Sequence, residues 1–435
     1  MGHGGLTIEL IGGSTYPLGS KRYLKQTENW GRMIALAPRL LAAITPNHHH
    51  VKIKDFREIK HPDPTVDVVG ISYTTTMAGA ANRLADQYRE RGVFTVAGGV
   101  HASLMPRDAL KHFDTVVVGP GELVWPQVLN DFEIGQPQRV YYGRQPATMP
   151  IAVRTRPGGI YNFDQVEITR GCANFCGDWC SVPYYYGRGV YLTRPVEEVL
   201  AELSTLGQNI MLYDNSLVSR IYYARELFTR MIPLKKRWVG SATLWTFQKY
   251  PWLASLMKES GCLALLIGFE SLEPKNLQVG SKRVTDYQEG VSILHDAGIG
   301  IEGSFVIGLP FDTPASLEAI PEFALKNRLE FPTVQIATPF PGTGFYQRME
   351  AEGRLLTTDW SLYDAEHVVF RPDKMTPDQL RGYYDQLNRD IFSLSSIVRR
   401  SLFGEMDPLI VGAGNVLTRA SFELGQVARS FGLAR

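Results

Sequence analysis

Short β-rich runs alternate with longer helical stretches along most of the chain, and this alternation constrains the fold more than any other sequence feature. In the first part of the chain the runs lie at residues 7–11, 51–56, 66–72, 94–97 and 115–118. Strands that are separated by helices of about ten residues or more form βαβ units and a parallel sheet. We therefore predict an α/β protein whose N-terminal domain, residues 1–132, is doubly wound and Rossmann-like.

The same alternation resumes further along the chain. Its six runs lie at residues 166–169, 210–213, 239–243, 263–269, 303–306 and 333–338. Six such units predict a partial (β/α)6 barrel, similar to a TIM barrel, over residues 164–371. Residues 133–163 gather Pro, Gly, Gln and Arg and are predicted to be a linker. Residues 372–435 are predicted to form a small helical C-terminal region, with helices at 377–392 and near 417–430.

Three of the four cysteines stand within nine residues, directly after the first barrel run. Cys172, Cys176 and Cys180 can hold three irons of a cubane [4Fe–4S] cluster and leave the fourth iron open to another ligand. A zinc site is the alternative, although zinc usually takes four ligands in paired spacings. Inert thiols are the other alternative. Cys262 stands apart and is predicted to be a small buried residue.

Glycine and hydroxyl residues follow the strands of the predicted N-terminal sheet. The candidates for ligand binding are Ser72, Thr74, Thr75, Thr76, Gly98, Gly99, Val100, His101, Ser103, Gly119, Gly121 and Glu122. In open α/β sheets, ligands bind in the crevice at the carboxyl ends of the strands. Tight turns of any doubly wound fold would account for the same residues. Residues 48–50, three successive histidines, are predicted to form a solvated loop rather than a metal site.

Charge and hydropathy narrow the possible partners. The chain has 45 Lys and Arg against 44 Asp and Glu, so its net charge of +1 gives no argument for a nucleic-acid partner. The longest apolar runs, such as residues 408–417, are far shorter than the roughly 20 residues that cross a bilayer. We therefore expect a cytoplasmic protein that acts on a small molecule, with no nucleic-acid partner and no membrane span.

The cysteine loop resembles the signature of the radical S-adenosylmethionine superfamily, with Trp179 in the aromatic place before the last cysteine. The resemblance covers about residues 165–350. It departs from the family at one point, because one extra residue separates Cys176 from Cys180, so either Gly177 or Asp178 is an insertion. The resemblance implies that S-adenosylmethionine is bound by side chains at the ends of two strands. These are Asp214, Asn215, Glu270 and Ser271.

Residues 5–132 resemble the cobalamin-binding domain found upstream of one large radical S-adenosylmethionine subfamily. The matching phrases are residues 67–72, 96–103 and 114–119, and Glu122 falls on the last residue of the family's Gly-Glu-Gly-Glu. The resemblance implies that the glycine and hydroxyl candidates named above hold cobalamin. The Asp-x-His-x-x-Gly signature is absent, so we expect no protein histidine on cobalt. In its short sequence motifs, the chain is similar to anaerobic magnesium-protoporphyrin IX monomethyl ester cyclases and hopanoid-associated proteins.

The resemblance implies an enzyme that reductively cleaves S-adenosylmethionine at a [4Fe–4S] cluster and uses cobalamin. Methylation of an unactivated substrate carbon is the first expectation, with a reductant such as flavodoxin or ferredoxin as partner. A cobalamin-assisted cyclisation, oxidation or ring rearrangement without methyl transfer is the alternative. A non-catalytic cobalamin sensor or carrier is the alternative of another class. No catalytic residue beyond the cofactor ligands is identified.

Overall fold

The computed structural model describes residues 5–13, 35–59, 61–154, 163–278 and 287–430. Their strands form two six-stranded parallel sheets and one antiparallel ribbon of two strands. Both large sheets carry helices, as the β/α alternation predicts. Within the described residues, no helix has the length and apolar content needed to cross a membrane.

The N-terminal sheet has the strand order β2-β1-β3-β4-β5-β6 and is parallel throughout. Its strands are β1 (Thr7–Gly12), β2 (His50–Asp55), β3 (Val68–Ser72), β4 (Phe94–Gly98), β5 (Thr115–Val118) and β6 (Val140–Tyr142). The accompanying helices are α1 (Leu36–Ile44), α2 (Ala78–Arg89), α3 (Val100–Leu104), α4 (Pro106–Ala109) and α5 (Trp125–Glu133). Two apolar clusters pack in this domain. Consecutive residues of the strands are buried, because helices cover both faces of the sheet. This is the pattern expected of a parallel sheet.

The predicted linker, residues 133–163, contains the last strand of this sheet. Strand β6 pairs with β5, so the N-terminal sheet extends beyond residue 132. The sequence did not indicate this strand because it is only three residues long and ends on the exposed Tyr142. Residues 155–162 of the predicted linker lie outside the described residues.

The second sheet is the predicted partial barrel, with the strand order β14-β13-β12-β11-β10-β7. Its strands are β7 (Asp164–Val166), β10 (Asn209–Leu212), β11 (Arg237–Ala242), β12 (Cys262–Glu270), β13 (Gly300–Ile307) and β14 (Phe331–Ile336). The helices of this part are α6 (Val182–Tyr186), α7 (Val196–Thr205), α8 (Ile221–Met231), α9 (Leu244–Lys249), α10 (Trp252–Glu259), α11 (Pro274–Gln278), α12 (Tyr287–Asp296), α13 (Pro314–Lys326) and α14 (Gly344–Ala351). The largest apolar cluster packs along this sheet and includes Cys262, which is buried as predicted.

The predicted first barrel strand, residues 166–169, is wrong in its extent. The barrel strand β7 ends at Val166, and β8 (Thr169–Gly171) instead pairs with β9 (Tyr191–Thr193) in the antiparallel ribbon. The Asp214 carboxylate accepts hydrogen bonds from the backbone N–H groups of Ile168 and Thr169. A longer barrel strand would use these two N–H groups in hydrogen bonds to the neighbouring strand. Here they bind the Asp214 side chain instead, so the barrel strand ends earlier.

The C-terminal region is helical, as predicted, but contains a helix that the sequence did not reveal. The predicted helix 377–392 is α15 (Pro377–Ile391), and α17 (Pro408–Ser430) covers the predicted segment 417–430. Between them lies α16 (Leu394–Phe403). This helix buries Arg400 on the carbonyl groups of Leu329 and Glu330 and exposes three of its apolar side chains. The apolar residues of α16 therefore do not all lie on the face of the helix that is buried.

Candidate active site

The three cysteines lie on one loop that leaves β8 and ends at α6. Gly177 in this loop has φ 151°, and a side-chain carbon placed there would lie 2.3 Å from the Trp179 ring. The backbone N–H of Cys180 donates to the carbonyl oxygen of Gly177 at 3.3 Å. Only glycine meets these conditions without strain. The extra residue between Cys176 and Cys180 is therefore accommodated by a tight turn at Gly177, one of the two candidates for the inserted residue.

The three thiols share one short loop. All three cysteines are half-buried, and a hydrogen bond to the Cys176 thiol together with burial raises the pKa of Cys180. The Cys172 sulfur accepts from the backbone N–H of Asn174 at 3.4 Å, a contact typical of cluster thiolates. The Asn174 side chain in turn donates to Thr243 at the end of β11. The loop is thus positioned at the carboxyl end of the barrel, and its donor set fits a three-cysteine cluster.

Asp178, the second candidate for the inserted residue, attaches the cysteine loop to helix α14. Its carboxylate forms an ion pair with Arg348, and its carbonyl oxygen accepts from the backbone N–H of Phe345 at 3.1 Å. One side chain and one backbone group of the loop therefore contact the helix that follows β14. The sequence did not predict this contact because the partners are 170 residues apart.

Two of the predicted S-adenosylmethionine residues follow β10. Asp214 is buried, and one of its carboxylate oxygens accepts from the Thr169 hydroxyl at 2.8 Å as well as from the backbone. Burial raises the pKa of Asp214 to about 7, and its second oxygen has no hydrogen-bond partner among the described residues. Asn215 is exposed at the same strand end. The structure thus shows a structural task for Asp214, and cofactor contact by either residue stays a prediction.

The other two predicted residues stand at the end of β12. Glu270 has φ 65° at a register shift in the pairing with β13, a strained conformation of the kind that clusters at functional sites. Its negative charge contributes to the raised pKa of Cys180, so it lies close to the cysteine loop. The Ser271 hydroxyl instead accepts from Asn276 at 3.0 Å, and Asn276 also donates to Asp312 at 2.7 Å. Glu270 therefore lies near the cysteine site, whereas Ser271 belongs to a buried network; the cofactor roles of both stay predictions.

The predicted cobalamin residues gather at the carboxyl ends of three neighbouring strands, β3, β4 and β5. Gly99 has φ 91°, and a side-chain carbon there would lie 2.7 Å from the backbone of Tyr73. The Ser103 hydroxyl donates to the carbonyl of Gly99 at 2.7 Å and accepts from the backbone N–H of Gly119 at 2.9 Å. The candidates that lie at these strand ends or in the segments that follow them are Ser72, Thr74, Thr75, Thr76, Gly98, Gly99, Val100, His101, Ser103, Gly119, Gly121 and Glu122. We call this set the N-terminal sheet edge.

His101 lies inside this edge and is buried. Its Nδ1 atom is 3.2 Å from the Thr75 hydroxyl, and its ring packs edge-on against Trp360 with centroids 5.4 Å apart. Burial lowers the pKa of His101 to about 4, so the ring is neutral. Its Nε2 atom and the Tyr73 hydroxyl have no partner among the described residues. Unpaired buried polar atoms beside close-approach glycines fit a site that receives a polar ligand such as a corrin.

Glu122 contacts the barrel across the boundary between the two domains. Its carboxylate pairs with Arg170 at 2.7 Å, and both side chains are at least 90% buried. Arg170 also binds Glu167 through two nitrogens, at 3.0 and 2.6 Å. We call Glu122, Arg170 and Glu167 the interdomain triad. The sequence analysis did not identify this triad. The available signal was Arg170, a charged residue that stands between the run 166–169 and the Gly171-Cys172 pair.

The three successive histidines, residues 48–50, lie at the opposite, amino end of the N-terminal sheet. His48 and His49 have ring centroids 3.9 Å apart, and Glu133 brings a carboxylate within ligand distance of both. The His49 Nδ1 atom, however, accepts from the backbone N–H of Leu6 at 3.1 Å. In a neutral ring this leaves the proton on Nε2, where a metal would have to bind. As a neutral ring with this hydrogen bond, His49 therefore offers no free lone pair to a metal.

Comparisons with known proteins identify the family. The B12 binding domain family matches residues 47–129, which contain the N-terminal sheet edge. The bacteriochlorophyllide d C-12(1)-methyltransferase of Chlorobaculum tepidum is 31% identical over 355 residues, which cover 77% of this chain and 76% of that protein. This chain belongs to the cobalamin-dependent radical S-adenosylmethionine family. The expected cofactors, cobalamin, S-adenosylmethionine and a [4Fe–4S] cluster, are thereby confirmed, and so is the prediction of an enzyme.

Other matches agree with this family. The bacteriochlorophyllide d C-8(2)-methyltransferase of the same organism is 27% identical over 401 residues, covering 85% of this chain and 87% of that protein. Matches to anaerobic magnesium-protoporphyrin IX monomethyl ester cyclases and a hopanoid C-2 methylase confirm the resemblance seen in the sequence. The structure of the radical S-adenosylmethionine methyltransferase TsrM from Kitasatospora setae covers 98% of this chain and 99% of that chain, with a TM-score of 0.62 and 14% identity. This last likeness confirms the fold.

Proposed function

We propose that this enzyme methylates a carbon atom of a chlorin-type tetrapyrrole. The observation that carries the proposal is the junction of the two sites, where the cysteine loop and the N-terminal sheet edge are joined through the interdomain triad. Two relatives that cover 77% and 85% of the chain are both methyltransferases of bacteriochlorophyllide d, a flat macrocycle. A macrocycle of this kind requires an apolar, partly open site between two cofactors. The aromatic residues Tyr184 to Tyr186, which follow the cysteines on α6, supply ring surface at this junction.

Each group of residues has a separate task in this proposal. When bound, the cluster and cobalamin supply the electron that cleaves S-adenosylmethionine and the methyl group that is transferred. The three cysteines hold the cluster at the carboxyl end of the barrel, and Glu270 stands near the cysteine site. The N-terminal sheet edge holds the corrin close to the substrate through glycine backbone contacts. A low-potential electron donor such as flavodoxin or ferredoxin is part of the proposal.

Anaerobic reconstitution with iron, sulfide and hydroxocobalamin tests the proposal. The wild type, given S-adenosylmethionine, a reductant and bacteriochlorophyllide d, is expected to form 5′-deoxyadenosine and a product heavier by one CH₂ group. Replacing Cys172, Cys176 and Cys180 together by Ala should remove the cluster's visible absorption and both products. Cys262→Ala is the control and should retain them, because Cys262 is buried in the core.

The outcomes separate the alternatives. A changed product without a mass gain would favour cyclisation, oxidation or rearrangement. 5′-Deoxyadenosine without any change to the chlorin would overturn the chlorin substrate but not the enzyme class. A fully loaded protein that forms no 5′-deoxyadenosine would overturn the enzymatic proposal and favour the sensor.

A further inference from the structure

The interdomain triad is a buried charge cluster that links the two candidate cofactor sites. Arg170 has a side-chain exposure of 4%, and Glu122 and Glu167 have 9% and 11%. Burial raises the pKa of Glu167, whereas its hydrogen bonds to Arg170 oppose that rise. Three buried charges carry a net charge of minus one. Such a cluster costs desolvation energy that its ion pairs only partly return, so stability alone does not account for it.

The position of the triad indicates a different purpose. Arg170 stands two residues before Cys172, on the strand that leads into the cysteine loop. Glu122 ends the Gly119–Pro120–Gly121 turn of the N-terminal sheet edge. The planar guanidinium therefore binds one carboxylate from each cofactor site with fixed geometry, which a lysine ammonium would not provide.

Neighbouring contacts support the same alignment. Helix α6, which follows the last cysteine, packs against α3 of the N-terminal domain. Ser103 of α3 lies close to Tyr185 of α6. Ser103 in turn holds the backbone of Gly99 and Gly119 in place. Both ends of the cysteine loop are thus attached to the edge that the cobalamin residues form.

We propose that Arg170 is a positioning residue that fixes the cobalamin edge relative to the cysteine loop and so sets the separation of the two cofactors. The inference rests on the proposed function, because it assumes that both cofactors act in one reaction. The transfer of a group between two bound molecules depends strongly on their distance and alignment. Loosening the triad is therefore expected to reduce methyl transfer more than cleavage of S-adenosylmethionine.

The chain offers a matched pair of variants. Glu122→Gln and Glu167→Gln each remove one negative charge from the same guanidinium at constant volume, but only Glu122 crosses the domain boundary. In cofactor-free protein, hydrogen exchange should increase on both sides of the boundary, at residues 119–122 and 169–171, in Glu122→Gln. In Glu167→Gln the increase should be confined to the barrel side. In the loaded enzyme, Glu122→Gln should lower the yield of methylated product per 5′-deoxyadenosine about tenfold.

A second measurement separates positioning from cofactor binding. The Glu122 carboxylate is bound to Arg170 and in this proposal does not contact the corrin, which the glycines of the edge hold. The magnetic coupling between cobalt(II) cobalamin and the reduced cluster should therefore weaken in Glu122→Gln, whereas the cobalamin content should equal that of the wild type. Loss of cobalamin in Glu122→Gln would make Glu122 a cobalamin ligand and overturn the inference. Equal hydrogen exchange and equal product yield in Glu122→Gln and Glu167→Gln would overturn the inference as well. If Glu122→Gln does not fold, Arg170→Lys is expected to show the same change in exchange, and unchanged exchange there would contradict the proposal.

The failure of the proposed function would be recognised separately. A wild type that loads both cofactors but methylates no chlorin overturns the substrate, and the exchange and magnetic coupling results still decide the role of Arg170.

Discussion

At the scale of single residues, Gly177 decides whether a loop with one extra residue can hold a cluster. Its φ of 151° and its contact with the Trp179 ring leave no room for a side chain. Glycine at such a position relieves both backbone strain and a steric clash. The steric part can be isolated, because Gly189 has φ 75° and a side-chain carbon added there would meet no atom within 4 Å.

Gly177→Ala is expected to lower the cluster content after reconstitution, because the added methyl group pushes Trp179 and the neighbouring cysteines apart. Gly189→Ala has the backbone cost of about 1 kcal/mol without the clash and should retain a wild-type cluster content. Iron and sulfide analysis with visible absorption measures both variants. Equal cluster content in the two would show that the Trp179 contact is unimportant.

At the scale of elements, the cysteine loop and helix α14 act as one unit. Asp178 contacts Arg348 through its side chain and Phe345 through its backbone, so the extra residue is used for attachment as well as for length. Thr343 caps the helix by accepting from the backbone N–H of Tyr346 at 3.2 Å. The helix is therefore a firm support for a loop that has no regular structure of its own.

Arg348→Gln is expected to speed the loss of the cluster in air, because the loop opens more often when Asp178 is released. The pair is partly exposed, so its contribution is about 0.5–1 kcal/mol and the effect a few-fold. Arg419→Gln breaks a comparable exposed pair with Glu423, far from the loop in sequence, and serves as control. The decay of visible absorption gives the rate. Identical decay in both variants would argue against the attachment.

At the scale of the whole molecule, buried acids make stability depend on pH. Burial raises the pKa of Glu302 on β13 to about 7 from an ordinary value of 4.5, and Asp214 and Asp312 are raised in the same way. Between these values the folded state binds a proton that the unfolded state has released. The stability that protonated Glu302 contributes is therefore complete below pH 4.5 and is lost as pH rises through 7.

Glu302→Gln should remove this dependence, because the amide does not titrate. Relative to the wild type, the variant should gain on the order of 1–2 kcal/mol in free energy of unfolding between pH 5 and pH 8. Chemical denaturation at the two pH values measures it, with the exposed Glu318→Gln as control. A constant difference between variant and wild type at both pH values would contradict the raised pKa.

The sequence predicted the large elements well, because β/α alternation and strand-end glycines are local signals. The grouping of the three cysteines on one loop is a local signal of the same kind, and their role as cluster ligands stays a prediction. The sequence did not reveal β6, which is short, or α16, which buries an arginine together with Ile397 and exposes two leucines and a valine. It also missed the partners of Glu122 and Asp178, which are distant in the chain. Contacts between the two domains depend on tertiary structure and leave no periodic pattern.

The contact between Trp360 and His101 has a consequence for how the chain is made. Trp360 lies beyond the last barrel strand, yet it packs on the N-terminal domain and donates to Asp108 at 3.4 Å. A ribosome synthesises the N-terminal sheet first, and domains generally fold as they emerge. The nascent sheet therefore forms with the face around His101 open to water, and that face is covered only after translation has passed the end of the barrel.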